Sequence, residues 1–415
     1  MTGCVWEADT PIFIVYVISD KWYHLSRQVR NDMIIKNGNI FGEDGRFHKG
    51  YIRVEGMYIK ELDREEMSGN SALEEQETVL DAEGLYVIPG LVDIHMHGCA
   101  GYDFCDGIPE AFEKIAEYEV VNGVTSIVPA TMTLSKERLA RIVEAAGRYM
   151  SEDSSVIKGI TMEGPFISEE KKGAQDARYI VSPDKELLGE LQKFSQGRIR
   201  QVTVAPEIDG AIEFIGDVSG EMVVSVAHTA ADYQQTVAAF EKGANHVTHL
   251  FNAMPPLNHR EPGVIGAALD HKDVFVELIC DGEHVHPAAV RAAFQMFGAE
   301  RICMISDSMR ATGMPDGEYS LGGQPVWVKD GRAVLENGHL AASVCTLYDC
   351  LRKTVLEMDI SLEEAVKACT ITPAKSLNLH KECGKLAIGY PADILLLDVD
   401  LKKKYIIKSG KLRKC

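Results

Sequence analysis

Residues 89–98 read PGLVDIHMHG, a short apolar run that ends in two histidines and a glycine. Because His95 and His97 are two residues apart, an extended strand presents both imidazoles on the same side. A single histidine on an apolar run is most often a satisfied core residue. Here the same arrangement recurs further along the chain, where short β-rich runs end in a residue of metal-ligand type: Glu163 in ITMEGPF, His228 in MVVSVAHT, His249 in HVTHLFNAM and Asp307 in CMISDS.

Eight apolar, β-rich runs lie between residues 92 and 306, and helical patterns separate most of them. The runs are VDIHMH, VTSIVPA, IKGITME, QVTVAP, MVVSVAH, HVTHLF, VFVELIC and RICMIS. The helical segments include SKERLARIVEAAGRYM from Ser135, which opens on a residue suited to an N-cap. Strands that alternate with helices in this way predict an α/β fold of the (β/α)8 TIM-barrel type, with the ligand residues at the strand C-termini.

The two ends of the chain predict a second, smaller unit. Short strands separated by turns occupy residues 33–87 and 386–415, and together they favour a β-sandwich domain that flanks a barrel over residues 88–385. Residues 1–32 differ from the rest, and two interpretations stay open: an N-terminal extension or misplaced start, or an additional edge strand. After the eighth run, residues 317–338 predict an inserted hairpin.

Composition limits the function classes. The net charge of −19 over 415 residues argues against a nucleic-acid surface and against anionic membranes, and an anionic substrate would need a local group of cations. Ten cysteines without a CxxC pair favour a reducing cytoplasm. The longest N-terminal apolar run, residues 11–18, is too short to span a membrane.

Imidazole and carboxylate ligands together suit zinc, iron and similar divalent ions. Such an ion lowers the pKa of its bound water from about 15.7 to about 7, and the resulting hydroxide is a strong nucleophile. A carboxylate beside it takes the proton and passes it to the leaving group, and we assign that general acid/base role to Asp307. The alternatives for Asp307 are a plain metal ligand or a helix cap.

Two loops that follow predicted strands carry groups suited to a substrate. NAMPPLNHREPG contains Asn252 and Arg260, and CDGEHVHP contains His284. A guanidinium in a loop rich in proline and glycine suits a phosphate or a carboxylate, although a lone surface arginine usually binds nothing. EEKKGAQDARY adds Lys171, Lys172 and Gln175, a charge run that is usually only solvated.

These motifs resemble the amidohydrolase superfamily and, within it, the N-acetylglucosamine-6-phosphate deacetylase family. The resemblance extends over about residues 33–410 and rests on PGLVDIHMHG, MEGPFI, KKGAQ, the APE that follows the fourth run, AHTAAD, THLFNAMPP, REPG, CDGEHV, SDSM and GYPADILLLD. It implies the barrel with its split β-sandwich, a homodimer, and a hydrolase that removes acetate from N-acetyl-D-glucosamine 6-phosphate to give D-glucosamine 6-phosphate in amino-sugar catabolism.

The resemblance also implies roles for individual residues. Glu163, His228 and His249 match the ligands of the tighter metal, Asp307 matches the acid/base, and His95 and His97 make a second metal plausible. The implied cofactor is a divalent ion, Zn, Fe or Mn, with one or two per subunit. The residues that match substrate contacts are Ala174, Asn252, Ala253, Arg260, His284, Leu340, Ala341 and Ala342.

This sequence departs from the family pattern at two positions. Some members carry histidine where Gln175 stands, and many carry glycine where Ala342 stands, so the methyl group of Ala342 could crowd the sugar pocket. Two alternatives to the deacetylase stay open. One is another metal-dependent amidohydrolase, which cleaves a cyclic amide or N-acetylgalactosamine 6-phosphate; the other is a non-catalytic scaffold.

Overall fold

The computed structural model describes residues 32–63, 78–153 and 156–414. The segment predicted as an N-terminal extension, residues 1–32, lies outside the described residues apart from Asp32. Over the described ranges, none of the helices has the length and apolar character needed to cross a membrane.

The described residues form 22 strands and ten α-helices, with two short 3-10 helices at Phe104–Asp106 and Ala177–Tyr179. The strands are β1 (Met33–Phe41), β2 (Phe47–Glu55), β3 (Tyr58–Asp63), β4 (Thr78–Asp81), β5 (Tyr86–Pro89), β6 (Leu91–Asp93), β7 (Gly98–Cys99), β8 (Tyr102–Asp103), β9 (Val124–Ile127), β10 (Ile160–Met162), β11 (Ile199–Val204), β12 (Val223–Val226), β13 (His246–Val247), β14 (Phe275–Ile279), β15 (Ile302–Ile305), β16 (Gly317–Leu321), β17 (Gln324–Lys329), β18 (Arg332–Val334), β19 (Leu340–Ala342), β20 (Ile394–Leu397), β21 (Lys403–Lys408) and β22 (Lys411–Lys414). The helices are α1 (Pro109–Val121), α2 (Lys136–Glu152), α3 (Lys185–Phe194), α4 (Ala211–Val218), α5 (Tyr233–Glu241), α6 (Gly263–Asp270), α7 (Pro287–Phe297), α8 (Leu347–Leu356), α9 (Leu362–Ala368) and α10 (Ile371–Ser376).

A curled parallel sheet carries the predicted ligands. Strands β10 to β15 pair in sequence order, and β6 pairs in parallel with β9. Each of the eight predicted runs overlaps one of these strands, so the α/β alternation is confirmed. Backbone contacts continue past the strand ends: Ala130 bridges Thr161, and the Asp307 N–H donates to the His95 carbonyl at 3.0 Å.

The predicted helices form where their patterns place them. Ser135 caps α2 by accepting from the Arg138 N–H, and the apolar face that begins at Leu139 is buried. Asp232 and Gln235 form a capping box at the start of α5. These helices bury their apolar sides against the parallel strands and place the intervening loops at the strand C-termini.

Strands from both ends of the chain hydrogen-bond in one eight-stranded sheet. Its order is β22-β21-β20-β5-β1-β2-β3, and β4 pairs with β1 beside this path. Its buried face includes Ile52, Val87 and Leu396. Strand β5 runs through Gly90 into β6, so this sheet leads directly into the parallel strands. Its description as a separate β-sandwich domain, with bounds at residues 33–87 and 386–415, stays a prediction.

The predicted hairpin after β15 is confirmed and extends further than expected. Strands β16 to β19 form a four-stranded antiparallel sheet over residues 317–342. Gln324 of this sheet donates from Nε2 to the carbonyl oxygen of Ala174, on the loop that follows β10. The insertion therefore lies beside the C-terminal ends of the parallel strands, where the candidate site is found.

Candidate metal centre and substrate cleft

The structure brings all six predicted ligands together. They stand in two triads, His95, His97 and Asp307 in one and Glu163, His228 and His249 in the other, and within each triad the candidate donor atoms lie within 4.8 Å of one another. Each ligand follows a parallel strand by one to four residues. Neighbouring strand ends of a parallel sheet meet at one edge, which explains why residues so distant in sequence converge here.

Glu163 lies at the centre of this group. Its Oε1 is 3.0 Å from His228 Nε2, 3.2 Å from His249 Nε2 and 3.5 Å from His95 Nε2. Its Oε2 is 3.4 Å from His97 Nε2. The single carboxylate therefore contacts histidines of both triads.

The other triad is more open. His97 Nε2 lies 3.4 Å from Asp307 Oδ1, and His95 Nε2 lies 3.9 Å from the same oxygen. Asp307 faces the cleft while the imidazole of His95 is fully buried beneath it. Asp307 is thus placed beside the ligand cluster with an oxygen directed at it, as a group that moves a proton there must be.

Three of these residues have an unusual backbone conformation. His228, His249 and Asp307 have φ values of 44°, 30° and 48°, in the left-handed region that non-glycine residues rarely adopt. Such residues cost roughly 1–3 kcal/mol each and persist where the surrounding structure holds them. The chain turns sharply after β12, β13 and β15, and each turn directs its side chain into the shared site.

Hydrogen bonds on the outer ring nitrogens fix the orientation of three histidines. His228 Nδ1 lies 2.8 Å from the Lys171 carbonyl oxygen, and His249 Nδ1 lies 3.2 Å from that of Asn252. His95 Nδ1 lies 2.9 Å from Glu277 Oε2. Because each acceptor holds the proton on Nδ1, each Nε2 is left free to act as a metal ligand.

The residues present fit a divalent ion. Among the described residues, the buried atoms His95 Nε2 and Asp307 Oδ1 have no hydrogen-bond partner. Orphaned buried polar atoms are uncommon and call for an explanation such as an ion. Four imidazoles with two carboxylates are a donor set that suits zinc, iron or manganese. An ion between these atoms would satisfy both of them.

The histidines of the cluster lower the pKa values of its two carboxyl groups. Burial opposes ionisation of Glu163, but the neighbouring imidazoles of His95, His228 and His249 hold its pKa well below the usual range. Burial likewise opposes the charge on Asp307, and the nearby imidazoles of His97 and His95 lower its pKa. Both carboxyls are therefore ionised at neutral pH, ready to bind a cation or to accept a proton.

A cleft of about 440 Å³ opens over the cluster. Its size falls in the range of small-molecule sites. Six of the eight predicted substrate contacts line it, namely Ala174, Asn252, Ala253, His284, Leu340 and Ala341. The predicted ligands that also line it are His97, Glu163, His228, His249 and Asp307. The lining also includes Lys171 and His339, which bring positive or polar groups to the mouth.

Two predicted substrate residues do not line the cleft. Arg260 is exposed on the loop after β13, and among the described residues its guanidinium has no hydrogen-bond or ion-pair partner. Ala342 is buried in the core and pairs with Ala333, with its side chain outside the cleft lining. Its φ is not in the left-handed region, so this strand position does not require glycine.

Gln175 lines the cleft and contacts the ligand cluster. Its Nε2 donates to Glu163 Oε2 at 2.6 Å, and its Oε1 accepts the Thr133 N–H at 2.6 Å. The amide therefore ties the central carboxylate to the end of the second parallel strand. Gly164, which follows Glu163 with a φ of 74°, packs so closely on Thr133 that a Cβ there would clash. The chain needs glycine at this point to turn the carboxylate inward.

His284 has a buried partner of its own. Its Nδ1 lies 2.6 Å from Asp281 Oδ2, while Lys353 Nζ donates to the Asp281 carbonyl oxygen at 2.6 Å. Burial lowers the pKa of His284, but the hydrogen bond and charge of Asp281 outweigh it and raise the pKa above its usual range. This histidine is accordingly biased towards the charged form at the mouth of an otherwise acidic site.

Sequence reasoning missed two carboxylates that support the ligands, Glu277 and Glu207, and it named Gln175 without assigning it a contact with Glu163. Glu277 contacts His95, Gln175 contacts Glu163, and Glu207 accepts from the Thr229 hydroxyl and the Ala230 N–H on the loop that carries His228. Glu277 stands inside the apolar run VFVELIC, and a carboxylate within such a run was the available signal for it.

Comparison with known proteins gives consistent results. The sequence profile of the amidohydrolase family matches residues 86–413. An N-acetylglucosamine-6-phosphate deacetylase from Lysinibacillus sphaericus is 37% identical over 337 residues, which cover 80% of this chain and 87% of that protein. An N-acetylgalactosamine-6-phosphate deacetylase from Escherichia coli O157:H7 is 34% identical, covering 81% of this chain and 89% of that protein.

Among solved structures, a mutant N-acetyl-D-glucosamine-6-phosphate deacetylase from Mycobacterium smegmatis superposes with a TM-score of 0.86. It was determined in complex with N-acetyl-D-glucosamine-6-phosphate. The match has 32% sequence identity and covers 92% of this chain and 99% of that chain. The likeness therefore includes both the parallel strands and the sheet formed by the two chain ends.

Proposed function

The chain belongs to the amidohydrolase family, and we propose that it removes acetate from N-acetyl-D-glucosamine 6-phosphate to give D-glucosamine 6-phosphate. The observation that carries this proposal is the convergence of two ligand triads, around Glu163 and Asp307, on the floor of a cleft with His284 at its mouth. A cluster of metal ligands suits the hydrolysis of an amide. The charged form of His284 at the mouth suits an anionic substituent on the substrate.

A divalent ion bound by these residues would activate water near neutral pH and polarise an amide carbonyl. The residues of the chain supply the rest. Asp307, ionised and within 3.4 Å of His97, accepts a proton from the attacking water and delivers it to the departing nitrogen. Glu163, His228 and His249 hold the floor of the site rigid during that transfer.

We assign two ions to each chain. Glu163, His228 and His249 form the tighter site, because their donor atoms already approach to 3.0–3.2 Å and outer hydrogen bonds hold both rings. His95 and His97 form the weaker site, with donor atoms 3.4–3.9 Å from Asp307. Zinc, iron and manganese all match this donor set.

The phosphate binds at the mouth of the cleft. His284 and Lys171 line it, and His284 is biased towards its charged form by Asp281. We retain Arg260 as a third phosphate contact, because its exposed guanidinium is free of partners among the described residues. Charge-assisted hydrogen bonds from such groups favour phosphate, and the net charge of −19 makes local capture necessary.

The proposal extends to architecture and setting. Strands β6 and β9 to β15 would close into a (β/α)8 barrel, a view supported by the backbone bond from Asp307 to the His95 carbonyl. The sheet from both chain ends would be the flanking β-sandwich domain. A homodimer rests on the family resemblance. A cytoplasmic location is supported by eight unpaired cysteines among the described residues.

A second substrate has a specific observation in its favour. The relative from Escherichia coli O157:H7 is named for N-acetylgalactosamine 6-phosphate, at an identity close to that of the first relative. The two sugars differ in the configuration of one hydroxyl. A scaffold without catalysis is disfavoured, since all six ligand residues are present and converge.

Acetate release from matched sugars tests the proposal. The full chain, loaded with Zn²⁺, would be assayed with N-acetylglucosamine 6-phosphate, N-acetylgalactosamine 6-phosphate and unphosphorylated N-acetylglucosamine. We expect the first to be hydrolysed with the highest kcat/KM and the last to be a poor substrate. A preference for the galacto sugar would support the alternative, and no release from either phosphorylated sugar would refute both.

A further inference from the structure

A carboxylate beneath the ligand cluster has no part in the chemistry described so far. Glu277 lies in the middle of β14, and its side chain is completely buried. A buried charge is costly unless several hydrogen bonds compensate it. The other side chains of this strand are apolar. The burial of a carboxyl group among them therefore requires a structural explanation.

The contacts of Glu277 converge on the ligands. Its Oε2 lies 2.9 Å from His95 Nδ1 and accepts the backbone N–H of His249 at 3.3 Å. Its Oε1 accepts from Gln201 Nε2 at 3.0 Å and lies 3.4 Å from His246 Nδ1. One carboxylate thus contacts a ligand ring, the backbone of a second ligand and two buried polar side chains that hold it in place.

The contact with His95 decides which ring nitrogen faces the metal. An ionised carboxylate accepts only, so the proton of a neutral His95 must sit on Nδ1. Nε2 then carries the lone pair, and Nε2 is the buried atom that has no hydrogen-bond partner among the described residues. An arrangement of carboxylate, histidine and metal raises the basicity of the ring and fixes its orientation.

We propose that Glu277 is a positioning residue that makes His95 a metal ligand, and that this chain holds its weaker second ion through the pair of Glu277 and His95. The inference rests on the two-ion form of the proposed function. It concerns metal affinity and not the identity of the sugar, so it can be tested without a substrate.

The test compares isosteric variants that each replace a buried carboxyl group by an amide. Glu277→Gln keeps the shape but turns one acceptor oxygen into an NH2 group, which opposes the donors around it. The matched control is Glu119→Gln on α1, because Glu119 is also fully buried and neither of its carboxyl oxygens has a hydrogen-bond partner among the described residues. His95→Asn and the double variant that combines it with Glu277→Gln complete a double-mutant cycle.

Each full-length protein would be stripped with a chelator and titrated with Zn²⁺ against a competing chromophoric chelator. We expect two ions in the wild type. Glu277→Gln should keep the tighter ion and bind the second about 10–100-fold more weakly, the usual cost of losing an outer-shell partner. Glu119→Gln should match the wild type, and the double variant should match His95→Asn.

Several results overturn the inference. These are wild-type affinity for both ions in Glu277→Gln, an equal loss in Glu119→Gln, a single ion in the wild type, or further weakening when Glu277→Gln is added to His95→Asn. The last result would mean that Glu277 acts independently of His95. Acetate release by the wild type is scored separately, so the proposed function stands or falls on its own data.

A second measurement serves if Glu277→Gln does not fold. Nitrogen-15 NMR of histidine-labelled, Zn²⁺-loaded wild type reports the state of each ring, and the His95 signals are those that His95→Asn lacks. We expect a proton on Nδ1 and a metal on Nε2. A proton on Nε2, or a His95 ring without metal, contradicts the inference.

Discussion

The floor and the mouth of the cleft are built in different ways. On the floor, Glu163 and His95 are buried; Glu163 accepts a hydrogen bond from Gln175, and His95 donates one to Glu277. At the mouth, His284 is held by Asp281. Beyond the cleft lining, Arg260 lies exposed on the loop after β13, and its guanidinium has no partner among the described residues. The ligands on the floor are thus held by internal hydrogen bonds, whereas the guanidinium of Arg260 has no such support among the described residues. Substitutions on the floor should remove chemistry or metal, and substitutions at the mouth should change selectivity.

Asp307→Asn should have the largest effect. An amide cannot shuttle a proton, and general acid–base catalysis contributes about 10²–10⁴-fold, so kcat should fall by at least about 100-fold. Metal content, measured by elemental analysis, should stay close to that of the wild type, because the amide oxygen can still coordinate. Turnover above about a tenth of the wild-type value would remove Asp307 from this role.

The two triads should lose metal unequally. His228→Ala removes a ring whose Nε2 lies 3.0 Å from Glu163, and it should empty the tighter site and abolish acetate release. His95→Asn should release only the weaker ion and leave part of the activity. Metal content after dialysis, measured together with kcat, distinguishes the two sites. Equal metal loss in both variants would contradict the difference between the sites.

Arg260→Ala tests whether this arginine binds the phosphate group of the substrate. A charge-assisted hydrogen bond contributes roughly 1.5–3 kcal/mol, so kcat/KM for the phosphorylated sugar should fall by about ten- to a hundredfold. Hydrolysis of unphosphorylated N-acetylglucosamine should hardly change. His259→Ala, an exposed neighbour in the same loop, is the control and should have little effect on either substrate. Equal impairment of the two substrates by Arg260→Ala would indicate a structural arginine.

The smallest expected effect concerns pH. Asp281 raises the pKa of His284, so the imidazole is charged below that pKa and loses its charge as the pH rises through it. The preference for phosphorylated over unphosphorylated substrate should therefore decline on the alkaline side. Asp281→Asn should shift this decline to lower pH by lowering the pKa of His284. Profiles of the kcat/KM ratio that coincide in wild type and variant would show that His284 does not contact the phosphate.

The sequence could predict the features that depend on local patterns, and it could not predict those that depend on contacts between distant segments. Strand periodicity and the position of a residue at the end of an apolar run are local properties. The sequence could therefore predict the alternation of strands and helices and the six residues from His95 to Asp307 that converge at the strand ends. Gln175 and Glu277 act through contacts between distant segments, for example the link from β14 to the residue that follows β6. No local pattern encodes such a pairing.

The positions of side chains on the inserted sheet and on the loop after β13 could not be predicted either, because they depend on strand pairing and on the path of the loop. Ala342 was expected in the sugar pocket, but pairing of β19 with β18 buries it, and neighbouring Leu340 and Ala341 line the cleft instead. A shift of one residue in a strand reverses the direction of its side chain. For Arg260, the sequence identifies the residue type and not where its loop places it.

The most direct test of the account is the metal dependence of acetate release from N-acetylglucosamine 6-phosphate. The full chain would be stripped, shown by elemental analysis to be free of metal, and titrated with Zn²⁺, Fe²⁺ or Mn²⁺ while acetate is measured. We predict no release from the stripped chain and recovery of activity as the sites around Glu163 and His95 fill. Undiminished release from verified metal-free protein would contradict the account.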